Sequence, residues 1–273
     1  MNDRKPAQEA YSAGYSPLVV EALSERDLQV EAAFFLPYLE PGMNLLDCGC
    51  GPGAMTVDLA KIVAPGQVVG IDRHEPQLEL GRQKATAAGV DNVRFEQGDI
   101  YSLAFEEGAF DAVFAHAVVY HLARPEAALA EVRRVLKPGG LVGIRDADFD
   151  RDIKTPLNPA LESGFSLMDR VLAHSGAQLA FGRTQRAVLR RAGFVDIVAS
   201  ASYDHFGTPD RARAFSEYWA YYIGELHRDL ILENGWADQT QIDEVLAAFR
   251  AWGDHPDAFY ARCRCEAVAL SPS

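Results

Sequence analysis

From residue 43 to residue 145, short apolar runs alternate with segments whose apolar positions recur every three or four residues. That order predicts parallel strands joined by crossover helices, an α/β architecture. The first run, MNLLDC at 43–48, stops at a glycine cluster. Beyond it Met55, Leu59, Ile62 and Val63 share one helical face, which Pro65-Gly66 closes. The run QVVGID ends a second strand at Asp72, and a helix from about Glu75 is expected to stop at Gly89. NVRFEQ is a third strand, followed by Gly98-Asp99, and 110–115 a fourth. Pro125 suits the first turn of the next helix, where its missing N–H costs nothing, with Leu129, Val132 and Leu136 as the buried stripe. LKPGG then turns the chain into a fifth strand, LVGIR.

The second half breaks the alternation. Leu161, Phe165, Met168 and Leu172 predict a helix over 156–175, and another ends at Gly193 before a strand over 194–203. Thr208-Pro209 starts a long helix carrying Phe215, Trp219, Tyr222, Leu226 and Leu230, with a further helix over 242–252. The last strand alternates: Ala261, Cys263, Cys265 and Ala267 face one way, Arg262, Arg264 and Glu266 the other.

The segment Asp47-Cys48-Gly49-Cys50-Gly51-Pro52-Gly53 lies between the first strand and its helix. Glycines there let the backbone turn sharply against a ligand, and the helix start presents free N–H groups. A nucleoside-bearing cofactor is the natural occupant, at the carboxyl ends of the strands. Asp72 can accept both hydrogen bonds of a ribose diol, and Asp99 closes the third strand of the same crevice. A dinucleotide fold would share the loop and Asp72, although its fingerprint is G-x-G-x-x-G and this loop reads G-x-G-x-G. Asp47 favours a sulfonium nucleoside, since an acid there repels a pyrophosphate but can hold an ammonium group.

Charge narrows the partners. The formal net charge of −13 makes nucleic acid and anionic membranes poor ligands, and the dense basic cluster Arg183, Arg186, Arg190 and Arg191 reads as a solvated helix face. No run approaches the roughly 20 apolar residues of a membrane span and the N-terminus lacks a signal-peptide core, so a cytoplasmic protein is expected.

The strings LLDCGCGPG, VVGID, QGDI, FDAVFAHAVVYHL and RRVLKPGG resemble the class I S-adenosylmethionine-dependent methyltransferase family, in particular its ubiquinone and menaquinone biosynthesis C-methyltransferase-like branch. The resemblance covers roughly residues 43–145. It implies a Rossmann-like, seven-stranded, mostly parallel sheet of order 3-2-1-4-5-7-6 with the last strand antiparallel and an inserted helical lid. It further implies that Asp47, Gly49, Gly51 and Gly53 contact the methionine part of S-adenosyl-L-methionine. Asp72 with its neighbour Arg73 would contact the ribose, Asp99 with Ile100 the adenine, and His116 would line the cleft. The expected division is an N-terminal helical segment at 1–40 covering the cofactor site and a core at 41–150. Lid insertions follow at 151–181 and 208–255, and 182–207 and 256–273 complete the sheet. In that strand order the two C-x-C pairs are separated by two strands, about 14 Å at ~4.8 Å per strand, which no disulfide spans. No metal is expected.

Methyl transfer needs alignment and exclusion of water, with a base only for some acceptors. His121, which can titrate near neutrality, leads the catalytic candidates. Asp146 stands with Asp148 at the rim of strand five, and Tyr15 with Tyr11 belongs to the segment that closes over the cofactor in similar proteins. The expected function is methylation of a small, partly apolar organic acceptor at carbon or oxygen. The run Tyr218-Trp219 with Tyr221-Tyr222 is expected to supply part of an aromatic pocket wall. Other chemistry on the same fold (a cyclase or carboxymethyl-forming enzyme), a non-catalytic cofactor-binding subunit, an NAD-dependent dehydrogenase and a homodimer all stay open at this stage.

Overall fold

The computed structural model describes residues 11–273. Helices α1 (Pro17–Ser24) and α2 (Leu28–Glu31) lead into β1 (Leu45–Cys48), α3 (Ala54–Val63), β2 (Val68–Asp72), α4 (Glu75–Ala88) and β3 (Val93–Gln97). There follow β4 (Phe110–His116), α5 (Pro125–Val135), β5 (Leu136–Ala147) and a three-residue strand β6 (Ile153–Thr155). The rest is α6 (Pro159–His174), α7 (Phe181–Arg191), β7 (Val195–Phe206), α8 (Pro209–Tyr221), α9 (Arg228–Glu233), α10 (Gln239–Gly253) and β8 (Phe259–Leu270).

The sheet runs β3-β2-β1-β4-β5-β8, and β7 closes it on the far side of β8. β1 to β5 pair in parallel, whereas β8 is antiparallel to both β5 and β7. This is the expected Rossmann-like order 3-2-1-4-5-7-6, renumbered by the small additional strand β6, which pairs with residues 259–261 of β8. The central strands are buried on both faces, so they read as continuous apolar runs without alternation.

Local chemistry sets the element ends. Gly89 ends α4 in the left-handed region at φ 65°, its N–H returning to the carbonyls of Ala85 and Thr86. Thr208 caps α8 by accepting from the Arg211 N–H, and Asp238 with Gln241 forms a capping box on α10. LKPGG is not a free turn: Phe110 pairs with Leu136 and Ala112 with Leu141, so the segment is absorbed as a bulge in β5. The long helix expected from Pro209 is broken. It passes into a π-helical turn at Tyr222–Leu226, where a side chain on Gly224 would stand 2.7 Å from Leu246, before α9 starts.

Leu28, Phe35, Leu59 and Phe114 fill one face of the sheet under the N-terminal helices. Val113, Leu129, Ile144 and Leu189 fill the other under α5 and α7. A separate apolar cluster joins α6, α8 and α10 to Tyr260 of β8 through Phe165, Phe215, Trp219 and Phe249. Each such fully buried large side chain contributes about 1.5–3 kcal/mol. No helix among the described residues is long and apolar enough to cross a membrane.

Candidate functional site

An open cleft with about 940 Å³ of empty space, part of it open to solvent, lies at the carboxyl ends of β1, β2 and β4, with Gly49, Gly51, Asp72, Asp99 and His116 among its walls. The glycine loop shapes its floor. Gly49, Gly51 and Gly53 all have positive φ, and a side chain on Gly49 would meet Val118 at 2.4 Å, whereas one on Gly51 would meet nothing within 4 Å. The space beside Gly51 therefore belongs to the cleft. Gly53 is held from behind, where a Cβ would stand 2.6 Å from the Phe95 ring and 2.8 Å from the Gly81 backbone. Gly53→Ala combines left-handed strain with overpacking and is expected to cost about 2–4 kcal/mol of stability in urea unfolding.

The Asp72 carboxylate accepts the Gly51 N–H at 3.1 Å through Oδ2 and the His74 N–H at 2.9 Å through Oδ1. One lone pair on each oxygen is left for a ligand. Asp99 accepts the Tyr101 N–H and is bridged by Arg73 at 3.0 Å across the rim. Asp47 is placed differently. It is buried behind the loop, accepts from the Thr56 hydroxyl at 2.6 Å, and does not line the cleft. Burial pushes its carboxyl up to about 7, against the Thr56 hydrogen bond and the charge of Arg26, which lower it.

At the back wall, His116 Nε2 lies 2.7 Å from Glu31 Oε2 and 2.9 Å from Arg145 Nη1. Burial, with the positive charge of Arg26, lowers this imidazole to about 4. His121 closes the turn after β4, its ring 5.2 Å from Tyr11 and 3.9 Å from Tyr120. Burial, then Arg26 and Arg264, lower it to about 3, so both rings are neutral at physiological pH. Tyr15 stacks on His74 at 3.7 Å and carries the N-terminal segment over the cleft beside Asp72.

Of the residues expected from sequence, the cleft thus gathers Gly49, Gly51, Asp72, Arg73, Asp99, Ile100, His116, His121 and Tyr15. Asp47, Gly53 and Asp146 are not on its walls. Asp146 is fully buried, and burial pushes its carboxyl up to about 7, opposed by the backbone N–H groups of the Val118–Tyr120 turn and by Arg264. Asp148 is also buried and is tied to Arg183 of α7, so that arginine is paired rather than merely solvated.

Two polar cleft residues went unanticipated. Arg26, just before α2, has Glu31 at 4.0 Å as its nearest acid and points its guanidinium along the cleft wall. Gln77 is buried on α4 in a pattern indistinguishable from an exposed helical glutamine. No spacing signal marks either one. Ala117 also lines the cleft at φ 56°, a left-handed residue at the exit of β4 whose N–H is held by the Arg145 carbonyl.

The walls fit a polar nucleoside ligand. Gln77 Oε1, His116 Nδ1 and His121 Nδ1 are buried polar atoms with no hydrogen-bond partner among the described residues, and all three side chains border the cleft.

The sequence profile of a family described as "Methyltransferase domain" matches residues 39–192. The probable methyltransferase ltbC of Aspergillus luteorubrus is 32% identical over 95% of this chain and 96% of its own. Demethylmenaquinone methyltransferase of Staphylococcus aureus is 42% identical, over 37% of this chain and 42% of its own. Among solved structures, YcgJ of Bacillus subtilis shares the fold with a TM-score of 0.62 at 17% identity, over 89% of this chain and 98% of that one.

Proposed function

The chain belongs to the class I S-adenosylmethionine-dependent methyltransferases, and from that premise we propose that it methylates carbon or oxygen of a small, partly apolar organic acceptor. The observation that carries this reading is the continuity of the cleft wall. From the Asp72 side it passes through Tyr15 and Tyr11 to His121, whose ring abuts the buried Tyr120. S-adenosylmethionine supplies an electrophilic methyl group when bound.

Within this reading, Asp72 holds the ribose, Asp99 and Ile100 border the adenine, and the Gly49–Gly51 backbone with Arg26 takes the amino-acid end. Arg26 offers guanidinium donors that make no hydrogen bond among the described residues, with Glu31 no nearer than 4.0 Å, and these suit a carboxylate. Asp47 acts from behind, fixing the loop through Thr56. The helices α6 and α8–α10 form the lid over the acceptor, and Tyr15 on His74 shuts the cofactor side against water. A neutral His121 positions an acceptor hydroxyl through Nδ1, and with its basicity so depressed it is a weak proton acceptor. The name of the Staphylococcus relative gives demethylmenaquinone as its acceptor, but the likeness spans 37% of the chain, so the acceptor is argued from this chain's own lid.

The test is transfer of isotopically labelled methyl from S-adenosylmethionine to a panel of phenols, enolisable ketones and amines, with products identified by mass. Labelled C- or O-methyl products are expected. Cofactor binding without transfer to any of them would favour a non-catalytic subunit. The histidine reading has its own check by NMR, with His116→Gln and His121→Gln for assignment. The ring-proton shifts of His116 and His121 should stay flat from about pH 5 to 8 because burial holds both below their ordinary 6.5. A midpoint near 6.5 would contradict it.

A further inference from the structure

The face of β8 that carries Arg262, Arg264 and Glu266 does not point to solvent. Glu266 pairs in register with Arg145 and Arg264 with Ala147, so Arg264 stands one rung beyond the Arg145–His116 contact, about 7 Å further along the strand toward the rim. That rim, at the carboxyl ends of the parallel strands, is where the cleft opens.

Arg262 is fully engaged. Its Nε meets Asp152 at 3.2 Å, and its guanidinium lies over Phe149 at 4.4 Å and Trp219 at 5.7 Å. Arg264 is engaged on one edge alone. Its Nε meets Asp204 at 2.6 Å, and its two terminal nitrogens make no hydrogen bond among the described residues. Asp204 in turn is shared with Arg145, so it does not depend on Arg264 for its counter-charge.

The groups around this half-used guanidinium are the charges of Asp204, Arg262 and Glu31 together with the Tyr120 ring. Ring contacts run without a break from the cofactor cleft to the turn after β5: Tyr11 to His121 at 5.2 Å, His121 to Tyr120 at 3.9 Å, Tyr120 to Phe149 at 5.5 Å. Arg264 is close enough to this wall for its charge to lower His121 and to oppose the burial-driven rise of Tyr11 and Tyr120.

We propose that the unpaired edge of Arg264 anchors the acid group of the methyl acceptor, and that the acceptor is therefore an aromatic or conjugated carboxylate whose flat skeleton lies along the Tyr120–His121 wall. The geometry suits that chemistry. A planar guanidinium presents two parallel N–H donors to a carboxylate, and the adjoining rings bury a planar apolar body. This inference rests on the small-molecule methyltransferase reading above and narrows it.

The experiment is calorimetric titration of the protein, first saturated with S-adenosylhomocysteine, with benzoate, salicylate, cinnamate and 2-naphthoate, each beside its primary amide. At least one acid is expected to bind about tenfold or more tighter than its amide, the size of a charge-assisted pair. Arg264→Gln should abolish that preference with S-adenosylhomocysteine affinity unchanged, and Arg264→Lys should restore part of it. Amides binding as tightly as acids, a preference that survives in Arg264→Gln, or no acid binding to the loaded protein would overturn the assignment. If Arg264→Gln fails to fold, the wild-type comparison of acid with amide and the lysine variant still decide it. Failure of S-adenosylhomocysteine itself to bind would strike the broader reading instead.

Discussion

Asp72→Ala should weaken S-adenosylmethionine binding by about 1–3 kcal/mol, roughly tenfold to a hundredfold in Kd. The carboxylate ends β2 at the cleft, and both its oxygens are already aligned by the Gly51 and His74 N–H groups. Its removal deletes a charged acceptor from the ligand side and leaves the Gly51 N–H without its partner on the loop side. Asp72→Asn, which retains one acceptor oxygen in the same place, should lose less. Calorimetry on the two variants separates these contributions, and unchanged affinity in both would remove Asp72 from the ribose position.

The second large effect concerns the fold beneath the site. Arg145→Met is expected to cost about 3–5 kcal/mol, read as a lower urea midpoint with an unchanged slope. Arg145 is 1% exposed and sits among Glu31 at 3.5 Å, Asp204 at 2.6 Å and Glu266 at 3.2 Å. Methionine fills much of the volume but leaves a buried cluster of carboxylates short of a cation. A loss below about 1 kcal/mol would show that these acids reach water or protonate at little cost.

The same network ties α2 to the sheet in a pH-dependent way. Burial alone would raise Glu31, but its hydrogen bond to His116 and the nearby positive charges outweigh that and hold it at about 2. Its contribution is present in full above the ordinary carboxylate value of 4.5 and is lost as the pH falls toward 2.

The parallel half of the sheet was legible because burial on both faces writes strands as unbroken apolar runs, and because the glycine loop announces a backbone that must turn against a ligand. Asp72 was legible for a related reason, since it closes such a run at the strand end where the cleft lies, whereas Asp99 was legible from its place just past the end of the half-exposed strand β3. The less readable parts depend on contacts between distant segments. Arg145 closes the string LVGIR and looks like a solvent-facing strand end, yet helix α2 covers it with Glu31. Asp47 reads as a ligand-facing acid by its place before the glycines, but Thr56, nine residues on, draws it behind the loop. β6 is three residues long and exists because β8 extends past β5 and offers it an edge. The break after α8 coincides with the close approach of Gly224 to Leu246, which no periodicity shows. Arg26 enters the cleft from the link between α1 and α2, which no periodic pattern marks.

The central claim, that the cleft over the glycine loop is an adenosyl-sulfonium site, is tested most directly by calorimetric titration of the wild-type protein with S-adenosylmethionine, S-adenosylhomocysteine and NAD under one set of conditions. The account predicts that both adenosyl ligands bind with a stoichiometry of one per chain and that NAD gives no saturable heat. Saturable binding of NAD without the adenosyl pair would contradict it.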